Sequence, residues 1–396
     1  MITEHRDVII VGAGLSGIGA AYHLGDKCPD RSYLLLESRQ AMGGTWDLFR
    51  YPGIRSDSDM HTLGYSFKPW ESKKAIADGP SILKYVRETA VENAIEQHIR
   101  YGHRLISASW CSKQSVWTLD IRQDSTDDAV QMTCNFLYMC AGYYNYDQPH
   151  DPQLPEVDAY KGIFIHPQFW PKHLDYQDKH VVIIGSGATA MTLLPAMTDK
   201  AKQVTMLQRS PTYVVTRPSE DGFANGLRKI LPSSWAYTIT RARNVLFQEV
   251  LFKQSQAFPK IAKWFFIRQV RKKLGKDYNV DKHFTPKYFP WDQRLCLVPD
   301  EDMFKAINSG GANIVTEHIK RFTETGIELE TGEHLEADIV VSATGLQLQV
   351  MGGATFTVDG EAVDFGNQMT YKGLMISEVP NMVNIFGYVN ASWTLR

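Results

Sequence analysis

The chain has 396 residues, 43% of them hydrophobic and 22% charged, which is enough for two or three globular domains with ordinary cores. Its net charge of −2 offers no electrostatic basis for nucleic-acid binding. The five cysteines include no Cys-x-x-Cys pair, so no disulfide framework or metal motif is indicated. The first residues are too charged for a secretory signal and no stretch predicts a membrane span, so we expect a cytoplasmic protein.

Residues 7–37 predict a strand, a glycine turn, a helix and a second strand. The turn Gly12-x-Gly14-x-x-Gly17 is typical of dinucleotide binding, because glycine permits the tight turn, the approach of pyrophosphate and close helix packing. Glu37 ends the second strand, where a carboxylate accepts hydrogen bonds from ribose hydroxyls. The first unit therefore predicts a site for an ADP moiety without a 2′-phosphate.

The next segment predicts a helix over 81–98 and strands at "SVWTLDIRQ" and "NFLYMCAG". The proline-rich stretch "YNYDQPHDPQLPEVD" then predicts a linker. After the linker, "HVVIIGSGATAM" begins the strand, turn and helix pattern again. The repeat indicates a second nucleotide-binding unit.

The second turn is Gly185-x-Gly187-x-x-Ala190, with alanine in the permitted third position. Arg209, followed by Ser210, lies after its second strand, close to where Glu37 lies in the first unit. An arginine there suits the 2′-phosphate of NADP, whereas a carboxylate would repel that phosphate. Two such sites in one chain predict FAD as the bound cofactor of the first unit and NADPH as the reductant at the second.

Residues 220–280 show few strand signals and several basic, aromatic helical stretches, which predicts a helical insertion. The helix 260–275 is compatible with contact to an anionic membrane surface. The aromatic residues of the insertion, which indicate a hydrophobic substrate, an interface or ordinary core packing, are Trp235, Trp264, Phe265 and Phe266.

The predicted fold is α/β, with two Rossmann-like dinucleotide-binding domains, for FAD and NADP, and a helical insertion. The segment Ser342–Gly345 follows an apolar strand and would return the chain to the FAD domain, with Thr344 and Gly345 beside the cofactor. The predicted limits are 1–147 for the first part of the FAD domain, 148–216 and 301–335 for the NADP domain, 217–300 for the insertion and 336–396 for the returning segment.

A pyridine nucleotide–disulfide reductase would also combine FAD with a nicotinamide nucleotide. It requires a redox-active cysteine pair beside the flavin. Cys134 and Cys140 are separated by five residues and lie in and after an apolar strand, so we interpret both as core residues and reject that class.

Five stretches, in this order, resemble the type I Baeyer–Villiger monooxygenases, and in detail the ethionamide-activating branch: "GAGLSG…E", "GGTWDLFRYPGIRSDSD", "YKGIFIHPQFWP", "GSGATA" and "WDQRLCLVP". The family signature is Phe-x-Gly-x-x-x-His-x-x-x-Trp-Pro. This chain matches it at Gly162, His166, Trp170 and Pro171 and replaces the first aromatic residue by Tyr160. The resemblance implies that this segment joins the two nucleotide domains and couples NADP binding to their relative motion.

The resemblance also implies the reaction and its residues. Such enzymes oxidise ketones to esters with NADPH and molecular oxygen through a flavin C4a-peroxide, and they also oxygenate thioethers or thioamides. The matching positions make Arg294 the cation that stabilises the negative oxygen and Asp57 the carboxylate that holds the guanidinium, while Gly44, Thr45 and Trp46 contact FAD. A small hydrophobic ketone or sulfur compound is the implied substrate. Gln293 stands where many relatives carry a lysine that helps to hold the nicotinamide nucleotide.

Relatives of this family continue beyond the position of Arg396 with a helix and a further segment. Asn390 or Ser392 would cap that helix, whose N-terminus would face the flavin. The alternative interpretation is therefore a catalytically incomplete nucleotide-binding protein or an uncoupled NADPH oxidase.

Overall fold

The computed structural model describes residues 4–124, 129–293 and 295–386. The helices of the described residues are α1 Leu15–Lys27, α2 Thr45–Leu48, α3 Met60–Leu63, α4 Gly79–Glu92, α5 Ala188–Met197, α6 Gly222–Leu227, α7 Ser233–Ala257, α8 Pro259–Leu274, α9 Val280–Phe284 and α10 Asp302–Asn308. The strands are β1 Glu4–Val11, β2 Tyr33–Glu37, β3 Ile99–Tyr101, β4 His103–Cys111, β5 Val116–Gln123, β6 Ala129–Met139, β7 Tyr144–Pro149, β8 Ile163–Ile165, β9 His180–Ile184, β10 Gln203–Gln208, β11 Tyr213–Arg217, β12 Leu295–Pro299, β13 Ala312–Thr316, β14 Ile319–Thr323, β15 Gly326–Leu329, β16 His334–Glu336, β17 Ile339–Ser342, β18 Leu346–Leu348, β19 Thr355–Val358, β20 Glu361–Ala362, β21 Thr370–Tyr371, β22 Met375–Ile376 and β23 Met382–Asn384.

The larger sheet has the order β20-β19-β4-β5-β6-β1-β2-β3 in the described residues, and β23 also pairs with β6. Strands β6, β1, β2 and β3 are parallel, and β4, β5 and β6 form an antiparallel meander. Strand β1 lies centrally because both of its faces are apolar, with Ile9 and Ile10 fully buried on opposite sides. The sheet thereby places the first glycine turn at the carboxyl edge of β1.

The second sheet has the order β13-β10-β9-β17-β8, and all its described pairs are parallel. Helix α5 follows β9 through the second glycine turn, and its apolar side packs in the core of this unit. Strand β17 belongs to this sheet, so the chain returns to the larger sheet after Ser342. We propose that the second unit continues through β17, so that the returning segment of the first unit begins after Ser342 and not at residue 336. The other predicted domain limits stay predictions.

Part of the predicted linker, Tyr144–Pro149, forms strand β7. It pairs antiparallel with β18, which lies some 200 residues later in the chain. A strand that short is stabilised by its partner and not by local sequence, which explains why the prolines and polar residues suggested a loop. The ribbon β7–β18 brings together both passages of the chain between the two large sheets.

The insertion is helical, as predicted, and contains α6, α7, α8 and α9 between the paired strands β11 and β12. None of the helices in the ranges described here combines the length and the apolar character that crossing a bilayer would require.

Candidate functional site

The first glycine turn forms a tight backbone cradle at the start of α1. Gly12 has a φ of +105°, and a Cβ there would lie 2.4 Å from the carbonyl oxygen of Cys140. A Cβ on Gly17 would lie 1.9 Å from the carbonyl oxygen of Gly12, and one on Gly44 would lie 3.2 Å from the Cα of Gly14. Only glycine permits these close backbone approaches, and the tight turn that results at the start of α1 is typical of a dinucleotide site, so these residues fit the predicted cofactor.

Glu37 ends β2 beside this cradle and is 5% exposed. Its carboxylate accepts hydrogen bonds from the backbone amides of Ala13 and Arg39, both at 2.9 Å. Burial raises the pKa of the carboxyl group, while the two amide donors oppose that shift. Each carboxylate oxygen keeps acceptor capacity, which suits it to bind ribose hydroxyls as predicted.

The segment Gly44–Asp47 closes the far side of the cradle. The hydroxyls of Thr45 and Tyr146 lie 3.2 Å apart, and Trp46 packs partly buried against the core of the first unit. Asp47 had no role in the sequence prediction, yet its buried carboxylate binds three guanidinium groups at 2.7–2.9 Å: Arg39, Arg50 and Arg87. The sequence did offer a signal for this role, because an acidic residue lies within the glycine-rich motif with Arg39 and Arg50 close to it along the chain.

The second glycine turn repeats the geometry of the first. Gly185 has a φ of +135°, and a Cβ there would lie 2.3 Å from the carbonyl oxygen of Ala343. Its amide donates to the carbonyl of Leu207 at 2.9 Å, as Gly12 donates to Leu36 at 2.7 Å. Gly187 precedes α5 in an extended conformation, and Ala190 is fully buried where the helix packs.

These matching hydrogen bonds align Gln208, not Arg209, with Glu37. Gln208 is buried, and its Nε2 donates to the carbonyl of His283 and the hydroxyl of Thr316. Arg209 and Ser210 follow at the exposed end of β10. The second unit thus has a neutral, inward-facing residue at the position of the acid and a cation next to it.

The loop that carries Asp57 packs on the second unit. The Tyr51 hydroxyl hydrogen-bonds with Thr189 at the start of α5, and a Cβ on Gly53 would lie 2.6 Å from the Ala196 Cβ. Burial raises the pKa of Tyr51 to about 12, and the Asp57 charge adds to that shift. The phenol therefore stays protonated near Asp57, which is itself half-buried.

Arg55 bridges the same loop to the second unit. Its Nη1 lies 2.5 Å from the Asp302 carboxylate at the start of α10, and the guanidinium is largely buried. Neither residue has a predicted role, although Arg55 lies within the stretch "GGTWDLFRYPGIRSDSD" that resembles the family. Since Asp302 follows β12 closely, this ion pair connects the Asp57 loop to the segment that begins after Arg294.

Arg294, Asn390 and Ser392 lie outside the described residues. The neighbouring chain is described, and the Cys296 Sγ lies 3.9 Å from the carbonyl oxygen of Ser186 in the second glycine turn. Tyr51 precedes Asp57 in the chain and contacts Thr189, and Cys296 follows Arg294 and contacts Ser186. Both segments therefore contact the second glycine turn and the start of α5.

The signature segment, residues 160–171, contains strand β8 and lies beside the paired strand β17. The Tyr160 hydroxyl donates to the carbonyl of Ala337 at 3.0 Å, and a Cβ on Gly162 would lie 2.2 Å from that hydroxyl oxygen. The tyrosine ring therefore requires glycine two residues later. Trp170 packs partly buried against the second unit's core, and Pro171 is exposed.

His166 links this segment to the passage of the chain that follows β17. Its Nε2 lies 3.0 Å from the carbonyl oxygen of Gly345, and its Nδ1 accepts from the backbone amide of Gln168 at 3.2 Å. The ring is thus neutral with the proton on Nε2, and burial lowers its pKa. The Gln168 Nε2 donates to the carbonyls of Asn145 and Tyr146 in β7, so both passages of the chain between the two units meet at this segment.

We expect this histidine to make folding stability depend on pH. The pKa of His166 is lowered in the folded chain, so the unfolded chain binds more protons below the unfolded pKa near 6.5. The contribution of His166 to folding stability is therefore fully present above the unfolded pKa and is lost as the pH falls through the folded pKa. Urea unfolding of wild type and His166→Asn at several pH values measures this, since asparagine offers a donor and an acceptor without titrating. An unchanged pH slope in the variant would contradict the assigned protonation state.

Next to Gly345, the hydroxyls of Thr344 and Ser342 lie 3.0 Å apart, and Gly345 has a φ of +120°. The two cysteines interpreted as core residues, Cys134 and Cys140, are buried, and burial raises the pKa of each thiol to about 12. Thiols with such pKa values are poor nucleophiles, which agrees with the rejection of a disulfide reductase.

Comparison with known proteins agrees with this geometry. A family model described as flavin-binding monooxygenase-like matches residues 69–356, and one described as an NAD(P)-binding Rossmann-like domain matches 10–72. The FAD-containing monooxygenase EthA of Mycobacterium tuberculosis is 53% identical over 396 residues, which cover 100% of this chain and 81% of EthA.

Two solved structures show the same fold. A steroid monooxygenase bound to NADP aligns with a TM-score of 0.77 at 24% identity, covering 96% of this chain and 80% of that one. A cyclohexanone monooxygenase bound to ε-caprolactone aligns with a TM-score of 0.79 at 20% identity, covering 97% and 83%. The predicted fold, the enzyme class and the cofactors FAD and NADPH are confirmed, and the chain belongs to the flavin-binding monooxygenase-like family.

Proposed function

We propose that the enzyme inserts one oxygen atom of O2 beside the carbonyl group of a small hydrophobic ketone, giving an ester, and that it also oxygenates thioethers or thioamides. The observation that carries this proposal is the convergence on the second glycine turn. Tyr51, from the Asp57 loop, contacts Thr189, and Cys296, two residues after Arg294, contacts Ser186. A cation and its carboxylate partner are thus expected where the nicotinamide nucleotide meets the flavin.

The first unit would hold FAD through its glycine cradle and Glu37, with Gly44, Thr45 and Trp46 on the far side and Thr344 and Gly345 at the returning segment. When bound, FAD supplies hydride acceptance from NADPH and activation of oxygen. The second unit would hold NADPH at Gly185, Gly187 and Ala190, with Arg209 and Ser210 at the 2′-phosphate.

In this proposal the chain's own residues stabilise and orient charge. Arg294 stabilises the negative oxygen that attacks the carbonyl, because a guanidinium cannot lose its proton at the site. Asp57 orients that guanidinium, and the Arg55–Asp302 ion pair keeps the Asp57 loop against the second unit. The hinge that couples NADP binding to domain movement consists of the signature residues Tyr160, Gly162, His166, Trp170 and Pro171.

The experiment that tests the reaction is NADPH consumption against a panel of ketones and sulfides, with hydrogen peroxide measured in parallel. We expect ester or sulfoxide in proportion to the NADPH consumed. Hydrogen peroxide as the sole product with every compound would contradict the proposal and support the uncoupled oxidase.

The position of Arg209 predicts a preference for NADPH over NADH. Arg209→Ala should raise KM for NADPH and leave NADH nearly unchanged, since the guanidinium pairs with a phosphate that NADH lacks. Steady-state kinetics with both nucleotides measures the change. Lys202→Ala is a matched control, because Lys202 is an exposed cation at the opposite end of β10. Equal losses with both nucleotides in Arg209→Ala would show that Arg209 does not bind the 2′-phosphate.

We also propose that the basic helix of the insertion, residues 260–275, makes peripheral contact with a membrane surface. The support is its composition, with basic residues and exposed aromatic residues on one helix.

A further inference from the structure

Helix α7 has the reverse of the usual amphipathic arrangement. Its buried residues are mostly polar: Ala236, Tyr237, Thr240, Asn244, Gln248 and Ser255. Its solvent side carries an apolar stripe at helical spacing: Trp235, Ile239, Ala242, Leu246 and Val250. Trp235 is 67% exposed and Leu246 63% exposed. A helix whose outer face is more apolar than its inner face is expected to have a partner for the outer face.

The inner face cannot exchange places with this stripe. Asn244 and Gln248 donate to the carboxylate of Asp59, at 3.0 and 3.1 Å, and Asp59 is 1% exposed. Arg241 donates to the carbonyls of His61 and Thr62, at 2.9 and 3.0 Å. Rotation of α7 would leave a buried carboxylate without these donors, which is strongly unfavourable. The apolar stripe is therefore held outward.

Helix α8, which follows α7 directly in the chain, also exposes apolar side chains and adds charge. Ile261, Trp264 and Phe265 are exposed, while Phe266 is buried in the core. The guanidinium of Arg268 lies 5.0 Å from the centroid of the Trp264 ring. Aromatic and aliphatic side chains beside cations are typical of helices that lie in the headgroup region of a bilayer.

The charge of these two helices differs from that of the rest of the chain. Together α7 and α8 carry nine of the 42 basic residues and one of the 44 acidic residues, which leaves 33 basic and 43 acidic residues elsewhere. Arg243, Arg271 and Lys273 are paired with Asp221, Asp281 and Glu301. Lys260, Arg268 and Lys272 are exposed on α8, so a symmetric contact between two copies that brought these cations together would be unfavourable. An anionic surface complements them.

We propose that the outer face of α7 and α8 docks on an anionic lipid bilayer. The apolar stripe enters the headgroup region, and Arg268 and the exposed Lys260 and Lys272 contact anionic headgroups. Ala242 and Leu246 of the stripe also line a cavity of about 610 Å³ between α7 and residues 66–69, which offers apolar space at the same face. The docking surface thus includes helix 260–275, for which membrane contact is proposed above, together with α7.

Sedimentation of the purified holoenzyme with lipid vesicles tests it. We expect binding to vesicles of phosphatidylcholine mixed with phosphatidylglycerol, little binding to phosphatidylcholine alone, and weaker binding as salt is added. The double variant Leu246→Ser, Trp264→Ser should bind about tenfold more weakly, because apolar area is lost from the interface. Met369→Ser is the control, since Met369 is 78% exposed on another part of the chain and should not change binding.

The readout does not depend on turnover, so its failure is distinct from failure of the proposed reaction. FAD content and the thermal midpoint confirm that each variant is folded. Absence of binding to both vesicle types, or equal binding of wild type and the double variant, would overturn the proposal. A dimer in light scattering that the double variant converts to monomer, without vesicle binding by wild type, would assign the face to a second copy instead.

Discussion

Arg294→Ala should lose ester formation by about a hundred- to thousand-fold, equivalent to about 2.7–4 kcal/mol of transition-state stabilisation. The physical reason is that oxygen insertion develops negative charge on oxygen, and a fixed cation stabilises that charge more strongly in the transition state than in the substrate complex. Hydride transfer from NADPH does not need the same cation. The variant should therefore still consume NADPH and oxygen and release hydrogen peroxide, which product analysis and a peroxide assay measure together.

The matched control is Lys287→Ala, which removes an exposed cation from the same segment. It should leave the ratio of ester to hydrogen peroxide unchanged. Arg294→Lys should restore little activity, because lysine is a flexible point charge whose pKa falls on burial. Ester formation by Arg294→Ala at close to the wild-type rate would mean that another cation has this role.

Gly17→Ala should abolish retention of FAD. The added Cβ would lie 1.9 Å from the carbonyl oxygen of Gly12, so the turn or the start of α1 must move. Overpacking of this kind typically costs about 1–3 kcal/mol, and it displaces the amides that would bind pyrophosphate. The flavin absorbance per protein and the thermal midpoint of the purified variant measure the effect.

Gly25→Ala is the control within the same helix, because a Cβ there meets nothing within 4 Å. Alanine has a higher helix propensity, so this variant should keep FAD and be slightly more stable, by up to about 1 kcal/mol. Equal flavin content in Gly17→Ala and wild type would show that the turn does not contact the cofactor in the predicted way.

The sequence by itself determined the two nucleotide-binding units, because their strand, turn, helix and strand are neighbours along the chain. Gly12 and Gly185 are required by backbone conformation and close approach, and such local requirements are visible as residue types at fixed spacing. The signature around His166 could be recognised for the same reason. The strand β7 could not, because its partner β18 lies far along the chain and its own residues favour a turn.

The tertiary structure decided the contacts between units and the orientation of the insertion. The bonds of Tyr51 to Thr189 and of Arg55 to Asp302 join segments that no periodic pattern relates. The aromatic residues of the insertion left core and interface open from sequence, and burial separates them, with Phe266 inside and Trp264 outside. Helical spacing shows that a stripe exists, but the buried carboxylate that binds the opposite face determines which side of α7 points outward.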